Sequence, residues 1–352
     1  MPMSTRKPIG NRYEGIALLD CIMSNYNGDP DNGNLPRIDL LDEHGIIRDG
    51  AIKNAIRAGI ALAGKRLLVS KSTDLNTRIA EAHVAASGAL PPTTKEKKYS
   101  TTVEAAGKAA DWICDTYSDA RYFGAVLETG PNAGQITGPV QIAHSRSVCK
   151  VDVVHMGLTR CCDAAPAPKG DLSTLTVEDY QKNERETPAN KLRSMGRTAV
   201  AKHALFPIRF FLSVKDAVRT GFSEEDFNLL LDCLLNLYEA NRTGSKSDMS
   251  VYAPVVFFKH VGTPYGSQED RAKEAAKGCY PAHELLRLIK ILPKVETPCS
   301  IDDYDFTVAI SRLPEGVEMG LARYARGKVE IDWVKSSKGV LPAWVPDNFK
   351  AI

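Results

Sequence analysis

The sequence lacks the short motifs that mark the commonest enzyme classes. It contains no Walker phosphate loop, no G-x-G-x-x-G, no G-x-S-x-G and no H-E-x-x-H. Those motifs hold phosphates, dinucleotides, a serine nucleophile or a zinc ion. The eight cysteines include no C-x-x-C pair, so neither a zinc site nor a thioredoxin-type motif is indicated. These absences remove the commonest enzyme classes, and we expect no cofactor, no metal and no catalytic residue.

Long apolar runs are missing as well. No uninterrupted run approaches the roughly 20 residues that a membrane helix needs. The first residues, MPMSTRKPIGNRY, have no apolar core of the signal-peptide kind. At 352 residues and 43% hydrophobic, the chain is long enough for about one to three domains. We expect a cytoplasmic protein that makes no membrane contact.

Charge is nearly balanced overall but unevenly distributed. The net charge is +2 and the pI is near 8.0. Between Lys191 and Arg219 the chain carries seven basic residues against the single acid Asp216, and the preceding segment 171–186 is rich in Asp and Glu. A basic segment of this kind suits a nucleic-acid partner, but a solvated face that keeps the protein soluble has the same composition.

Residues 25–39, NYNGDPDNGNLPRID, form a conspicuous polar segment. An EF-hand calcium loop needs a glycine at its sixth position and a glutamate at its twelfth. Counted from Asp29, those positions hold Asn34 and Leu40, so the EF-hand interpretation fails. Two alternatives stay open: an ordered, turn-rich loop, or a divalent-metal site built from the carboxylates of Asp29, Asp31 and Asp39.

Apolar periodicity predicts an alternation of strands and helices. Asp49 is the predicted N-cap of the first helix. Residues 151–200 have few apolar periods and are predicted to leave the core and return, and 261–280 are predicted to be an added surface loop. The predicted strands are 12–24, 136–150, 203–214, 250–260 and 304–312, and the predicted helices are 50–67, 103–117, 223–240 and 282–292.

Without the excursions and the helix 103–117, the predicted elements up to residue 260 follow the order strand, helix, strand, strand, helix, strand. This βαββαβ order predicts an α+β, ferredoxin-like fold with the plan of the RNA recognition motif. Fold alone does not give function. The aromatic signatures that stack bases in that motif are absent, so base stacking on the sheet is not predicted.

Several separated segments resemble one known family. They are NRYEGIALLDC followed by NGDPDNGNLPRID, then DGAIKNAIR, then RYFGAV with GQITGPVQIAHSRSV, and DYDFTVAISRLPEGVEM. In this order they are similar to the repeating backbone subunit of type I-C CRISPR Cascade complexes, a member of the RAMP superfamily. The resemblance touches most of residues 11–320, and the N-G-D-P-D-x-G-N-x-P-R-x-D stretch is its most specific part.

The resemblance implies a modified ferredoxin-like palm with helical finger insertions and a thumb hairpin. Residues 1–150 would be the first part of the palm with the fingers, 151–200 the thumb, 201–315 the second part of the palm and 316–352 a C-terminal extension. It also implies a set of partners: CRISPR RNA, target DNA through pairing with the guide, further copies of the chain, the large, small and repeat-processing subunits of Cascade, and indirectly a helicase-nuclease.

The resemblance further implies contacts to RNA that ignore its sequence, which means contacts to phosphates and sugars. Polar, basic and flexible side chains in four places suit that work, namely the early loop, the start of the first helix, the second strand and the end of the excursion. The predicted RNA-binding residues are Asn27, Arg37, Lys53, Asn54, Arg57, Gln141, Ser145, Arg146, Ser147, Arg193, Met195 and Arg197.

Each of these residues also has an ordinary structural interpretation. Arg37 would then pair with Asp31 or Asp39, Lys53 and Arg57 would form a solvated helix face, and Met195 would lie in the core.

Three alternatives remain for the chain as a whole. The first is an endoribonuclease, because related backbone subunits cut RNA with a divalent metal and an early-loop aspartate. Type IV effector backbones are similar too. A small-molecule-binding ferredoxin-like protein is the third. We expect a non-enzymatic RNA-binding scaffold, and we expect subtype-specific contacts from the segment after Met319.

Overall fold

The computed structural model describes residues 6–162, 164, 167–168, 171, 173–334 and 340–352. The fold mixes helices with mostly antiparallel sheets. Within the described ranges, every helix is too short or too polar to cross a membrane.

The strands run through the whole described chain. They are β1 Tyr13–Ser24, β2 Gly28–Asp29, β3 Leu35–Pro36, β4 His44–Ile47, β5 Gly124–Leu127, β6 Gly134–Thr137, β7 Val140–Ile142, β8 Ser145–Lys150, β9 Val153–Arg160, β10 Ser194–Leu212, β11 Met249–His260, β12 Ile289–Pro293, β13 Tyr304–Val308, β14 Val317–Ala325, β15 Lys328–Val334 and β16 Phe349–Ala351.

The helices lie between them, and most begin with a polar cap. They are α1 Asp49–Leu62, α2 Leu75–Ser87, α3 Val103–Thr116, α4 Ser118–Phe123, α5 Val177–Glu186, α6 Val214–Thr220, α7 Glu224–Leu235, α8 Gln268–Lys277 and α9 Ala282–Arg287.

The main sheet has the strand order β15-β14-β11-β1-β10-β7, and β9 pairs with the start of β10. β1 lies inside this sheet and pairs antiparallel with β10 on one edge and β11 on the other. Nearly all its residues are buried, as the continuous apolar run predicts. The predicted strands 12–24 and 250–260 are therefore confirmed.

Different layers cover the two faces of the main sheet. On one face, α1 and α7 pack over a cluster that includes Ala17, Leu19 and Phe206. On the other face, α9 and a small sheet of β12, β13 and β16 cover Ile16, Leu18 and Leu205. Alternate residues of β1 thus serve two separate cores, because successive side chains of a strand point to opposite faces.

A helical unit between α1 and β7 has its own small core. α2 and α3 pack together over Ile79, Ala110 and Ile113, and the hairpin of β5 and β6 closes the unit. The predicted helix 103–117 is confirmed as α3. α2 was missed because its apolar residues are mostly alanines, which give a weak periodic signal.

One buried ion pair joins this helical unit to the main core. Arg121 on α4 donates from Nε and Nη2 to the two carboxylate oxygens of Asp226, at 3.0 and 2.8 Å, and from Nη1 to the carbonyl of Cys114. Asp226 also completes a capping box with Ser223 at the start of α7. Burial acts to raise the pKa of the Asp226 carboxyl, but the bonds from Arg121 outweigh it and the net shift is downward.

The second ion cluster lies under the start of β1. His260 Nε2 and Glu14 are fully buried and 2.7 Å apart. The Cys279 amide lies 3.1 Å from Nδ1 of His260, and Nε2 of the same ring donates to the Glu14 carboxylate. Arg12 compensates the carboxylate from the solvent side through its Nε.

Several predicted elements differ from the structure. The predicted strand 136–150 is wrong as one strand, because it breaks into β6, β7 and β8, which pair with three different partners. Asp49 is not the N-cap: Arg48 holds that position without a side-chain bond, and the Asp49 carboxylate accepts from Lys53 instead. The loop 261–280 contains α8, which begins with its own capping box.

Other boundaries moved because long-range pairing extends or shortens an element. The predicted strand 203–214 starts earlier, as β10. α1 and α7 end before their predicted limits, and the predicted helix 282–292 is α9 followed by β12. The predicted strand 304–312 is β13, which pairs in the small sheet rather than in the main one. After Met319, β14 and β15 continue the main sheet.

Asp226→Ala should lower the free energy of unfolding by about 3–5 kcal/mol, because the substitution leaves the Arg121 charge buried without its partner. Urea unfolding at pH 7 measures this. Glu269→Ala is the control, since it removes an exposed pair with Lys273 on α8, and it should change little. Equal losses in the two variants would contradict a special role for the buried pair.

The contribution of this pair should also depend on pH. The folded-state pKa of Asp226 lies below its ordinary value, so the stabilisation is complete above the unfolded pKa near 4 and is lost as the pH falls through the folded one. The stability difference between the native chain and Asp226→Asn should therefore shrink between pH 5 and pH 2. A difference that stays constant over that range would contradict the assignment.

Candidate nucleic-acid interface

The loop 25–39 is ordered by its own side chains. Asn25 Nδ2 donates to the carbonyl of Asn34 at 2.7 Å, and the Tyr26 hydroxyl donates to the carbonyl of Arg37 at 2.8 Å. At Gly28 a Cβ would lie 2.0 Å from Asn34 Oδ1, so a larger residue there would displace the Asn34 side chain. These contacts fit the first of the two alternatives for residues 25–39, an ordered, turn-rich loop.

Within this loop Arg37 pairs with Asp29. The two groups are 2.9 Å apart and each side chain is about a quarter exposed or less. Asp29 also accepts the amide of Asp31, and Asp39 accepts the amide of Leu41. The partner of Arg37 is thus neither Asp31 nor Asp39. Among the described residues no group of three or more His, Cys, Asp or Glu side chains is arranged to hold a metal ion.

The start of α1 lies against the loop and β8. Asn27 Oδ1 accepts the amide of Arg48 at 2.9 Å, and His144 Nδ1 accepts the amide of Asp49 at 3.0 Å. The pairing of β4 with β8 holds this arrangement together. The structure therefore brings the predicted residues of the loop, the first helix and the second strand to one place.

The predicted RNA-binding residues of α1 differ in their solvent exposure and in their ion-pair partners. Asn54 is exposed, whereas Lys53 and Arg57 are each only 17% exposed and bind Asp49 and Asp119. Asp119 is buried and also accepts the amides of Leu68 and Val69. Arg57 thus neutralises a buried carboxylate, which is a structural role. Whether Lys53 and Arg57 also touch RNA stays a prediction.

On β8 the predicted residues alternate between the two faces. Arg146 is exposed and pairs with Asp42. Ser145 and Ser147 share one face, as expected for an extended segment, and both are buried. Ser145 donates to the carbonyl of Pro207, and Ser147 accepts the amide of Gly45. Both hydroxyls already have backbone partners, so RNA contact through them stays a prediction.

The last group of predicted residues lies on a two-stranded ribbon formed by β9 and the first part of β10. Register pairs run from Ser194 with Arg160 to Ala201 with Val153. Met195 is 89% exposed, so it does not lie in the core, and its neighbours Arg193 and Arg197 are exposed as well.

The ribbon and the loop 25–39 leave the main sheet at the same end, where β1 finishes. Ala201, at the base of the ribbon, pairs with Ser24, the last residue of β1. Gln141 lies elsewhere: it pairs with Phe211 and is close to the opposite end of β1. The predicted set is therefore gathered at one end of the sheet, with Gln141 as the exception.

A family model described as CRISPR-associated protein Cas7 matches residues 11–309. The chain belongs to the Cas7 family. The match covers the loop 25–39, α1, the ribbon and the sheet from β1 to β13. In this Cas7 chain, β14, β15 and β16 lie beyond the matched residues, in the segment 316–352 that is predicted from the sequence to be a C-terminal extension.

Two solved structures are similar at low identity. One is a chain of a "CRISPR RNA-guided surveillance complex, pre-nicking", 15% identical, with a TM-score of 0.40, covering 73% of this chain and 80% of that chain. The other, from a "CRISPR RNA-guided surveillance complex", is 15% identical, with a TM-score of 0.36, covering 86% and 90%. At such TM-scores these likenesses add nothing to the family match. No curated protein matches the chain.

Arg57→Ala should lower the melting temperature of this Cas7 chain by several degrees, since it leaves the Asp119 carboxylate buried without its cation. Asn54→Ala, one turn away on an exposed position, is the matched control and should leave it unchanged. Differential scanning calorimetry measures both. If Arg57→Ala melts like the control, Arg57 has no structural role and is free to serve a ligand alone.

Proposed function

We propose that this chain is the guide-binding backbone subunit of a CRISPR surveillance complex of type I-C. The observation that carries the proposal is the Cas7 family match over residues 11–309, which includes the loop 25–39 and the ribbon. In this role several copies line up along one CRISPR RNA and hold its spacer for pairing with target DNA. The partners are the guide, further copies and the other Cascade subunits, and a helicase-nuclease acts afterwards.

The palm of the subunit is the ferredoxin-like part of the main sheet. The strand order β11-β1-β10-β7 corresponds to the order 4-1-3-2 of a βαββαβ fold, with α1 and α7 on one face. The helical unit of α2 and α3 would be the fingers, and the segment from β9 to the start of β10 the thumb. The division into 1–150, 151–200, 201–315 and 316–352 belongs to this proposal, although β10 runs unbroken across residue 200.

The RNA path runs over the edge from which the loop and the ribbon emerge. Exposed side chains there make the direct contacts, namely Asn54, Arg146, Arg193 and Arg197, while Met195 wedges between bases. Asn27, Arg37, Lys53, Arg57, Ser145 and Ser147 hold this surface in shape and contact the guide where their internal partners leave a face open. Backbone contacts of this kind suit a ligand of any sequence.

The chain acts as a scaffold rather than a nuclease in this proposal. The alternative of an endoribonuclease needs a carboxylate of the loop 25–39 to bind a metal. Asp29 is the best placed of them, but it is bound to Arg37 and would have to give up that cation. The alternative of a type IV backbone differs in the guide that it carries, which the following experiment identifies.

The decisive experiment is to purify the chain with the proteins of its operon, extract the bound nucleic acid and sequence it, with and without incubation in Mg²⁺. Uniform RNAs with repeat-derived ends, intact after Mg²⁺, are the expected result. Absence of RNA would overturn the proposal. Regular cutting would favour the endoribonuclease, and guides of another repeat type would favour a type IV complex.

Arg193→Ala combined with Arg197→Ala should weaken binding to all single-stranded RNAs alike, by about tenfold or more at 50 mM salt. The slope of log K against log salt should fall by about 1.4, since each lost phosphate contact removes about 0.7 for a single strand. Fluorescence anisotropy with two unrelated RNAs measures this. Lys95→Ala with Lys97→Ala removes the same charge from an exposed loop and is the control. A loss confined to one RNA would contradict a scaffold.

A further inference from the structure

A second basic surface lies at the opposite end of the main sheet. There, β10, α9 and β12 line a cleft of about 970 Å³, together with Arg12 just before β1 and Arg312 after β13. We call it the basic cleft and define it by six of its lining residues, Arg12, Arg209, Phe211, Arg287, Lys290 and Arg312. Arg209 pairs with Ile16 and Phe211 with Glu14, so the cleft lies near the first residues of β1, whereas the loop 25–39 follows the last ones.

The cations of the basic cleft are concentrated without neutralising groups. Its described lining includes no Asp or Glu. Arg12 is committed, because it binds Glu14 and the carbonyl of Lys277. The other four cations, Arg209, Arg287, Lys290 and Arg312, are exposed and form no ion pair with any described residue. Four like charges around one concavity repel one another and create a strongly positive potential that attracts an anion.

The floor of the basic cleft is apolar and includes an aromatic ring. Phe211 is half-buried and lies two residues from Arg209 on the same face of β10. Leu286 and Ile289 continue the apolar floor. An adjoining cleft of about 340 Å³ shares Arg12 and Phe211, and adds Lys215, Lys277 and Gln141. The ring therefore lies in the middle of a longer basic groove.

We propose that the basic cleft binds single-stranded nucleic acid, with a base stacked on Phe211 and phosphates held by Arg209, Arg287, Lys290 and Arg312. An aromatic ring flanked by arginines is the arrangement that binds single strands without sequence preference. An acidic peptide would use the cations but has no need of the ring. In this assignment Gln141 belongs to the adjoining cleft of the same groove rather than to the loop side.

The basic cleft is separate from the surface proposed for the guide. The ten residues of β1 between Glu14 and Ser24 span about 30 Å at roughly 3.3 Å per residue. The basic cleft and the loop 25–39 are therefore separate places on the chain, and the peptide that a strand crosslinks to distinguishes them. The inference stands apart from the guide proposal, since it requires only a free single strand, either RNA or DNA.

Photo-crosslinking locates the ligand. The purified chain is mixed with 12-nucleotide RNA or DNA strands that carry 5-iodouridine or 5-iodo-2′-deoxyuridine, respectively. The mixture is irradiated and digested, and the crosslinked peptides are identified by mass spectrometry. A crosslink on the peptide that contains Phe211 is the expected result, and a preference for one strand identifies RNA or DNA as the ligand. Crosslinks confined to residues 25–60 and 193–197 would overturn the proposal.

Variants of the basic cleft then test its chemistry by anisotropy in the Arg193→Ala and Arg197→Ala background, where the loop side is weakened. Arg287→Ala with Lys290→Ala should reduce the remaining affinity five- to tenfold and lower the salt slope by about 1.4. Phe211→Leu, which keeps the apolar floor but removes the ring, should reduce affinity severalfold with an unchanged slope. Lys95→Ala with Lys97→Ala is the charge-matched control, and circular dichroism verifies folding.

Two outcomes of the binding measurements would also overturn the proposal. The first is that the cleft variants bind as the control does. The second is that a hexaglutamate peptide competes as well as an oligonucleotide of equal charge, while Phe211→Leu has no effect. In that case the cleft is a site for an acidic peptide. Both outcomes leave the guide proposal untouched, because that proposal is tested at Arg193 and Arg197 and by the RNA that copurifies.

Discussion

The pairing of β1 on both of its edges is the constraint on which the rest of the structure depends. Because β10 and β11 take up the hydrogen bonds of its two sides, the strand has no free edge, and its side chains serve a core on each face. The register of β1 with β10 and β11 positions the elements that follow and precede these strands. The last residue of β1 lies opposite the base of the ribbon, and its first residues lie beside the basic cleft.

The predicted RNA-binding residues fall into two groups, which differ in whether they have partners within the chain. Arg37, Arg57 and Ser145 are bound to partners within the chain, while Arg193, Met195 and Arg197 point into solvent. The first kind fixes the shape of a loop and a helix start before any ligand arrives, which lowers the conformational entropy lost on binding. The second kind is left free to make contacts.

The sequence predicted those parts of the fold that local signals determine. β1 and β11 follow from apolar runs, and α7 follows from Ser223 and Asp226, which begin it as a capping box. The break of 136–150 into three strands was not predictable, since β7 and β8 pair with β10 and β4, which are distant in the chain, while β6 pairs with its neighbour β5. The same reason explains Arg37, whose partner depends on how the loop folds back, and the membership of β14 and β15 in the main sheet. The pairing of Phe211 with Arg287 and Lys290 in one cleft requires α9 and β12 to pack beside β10, which no local pattern reports.

β10 joins the ribbon to the basic cleft. Its 19 residues extend for about 60 Å at roughly 3.3 Å per residue, from the exposed ribbon through the main sheet, between β1 and β7, to the edge of the basic cleft. Since the strand has no interruption between Met195 and Phe211, the distance between the ribbon and the basic cleft is set by this one element.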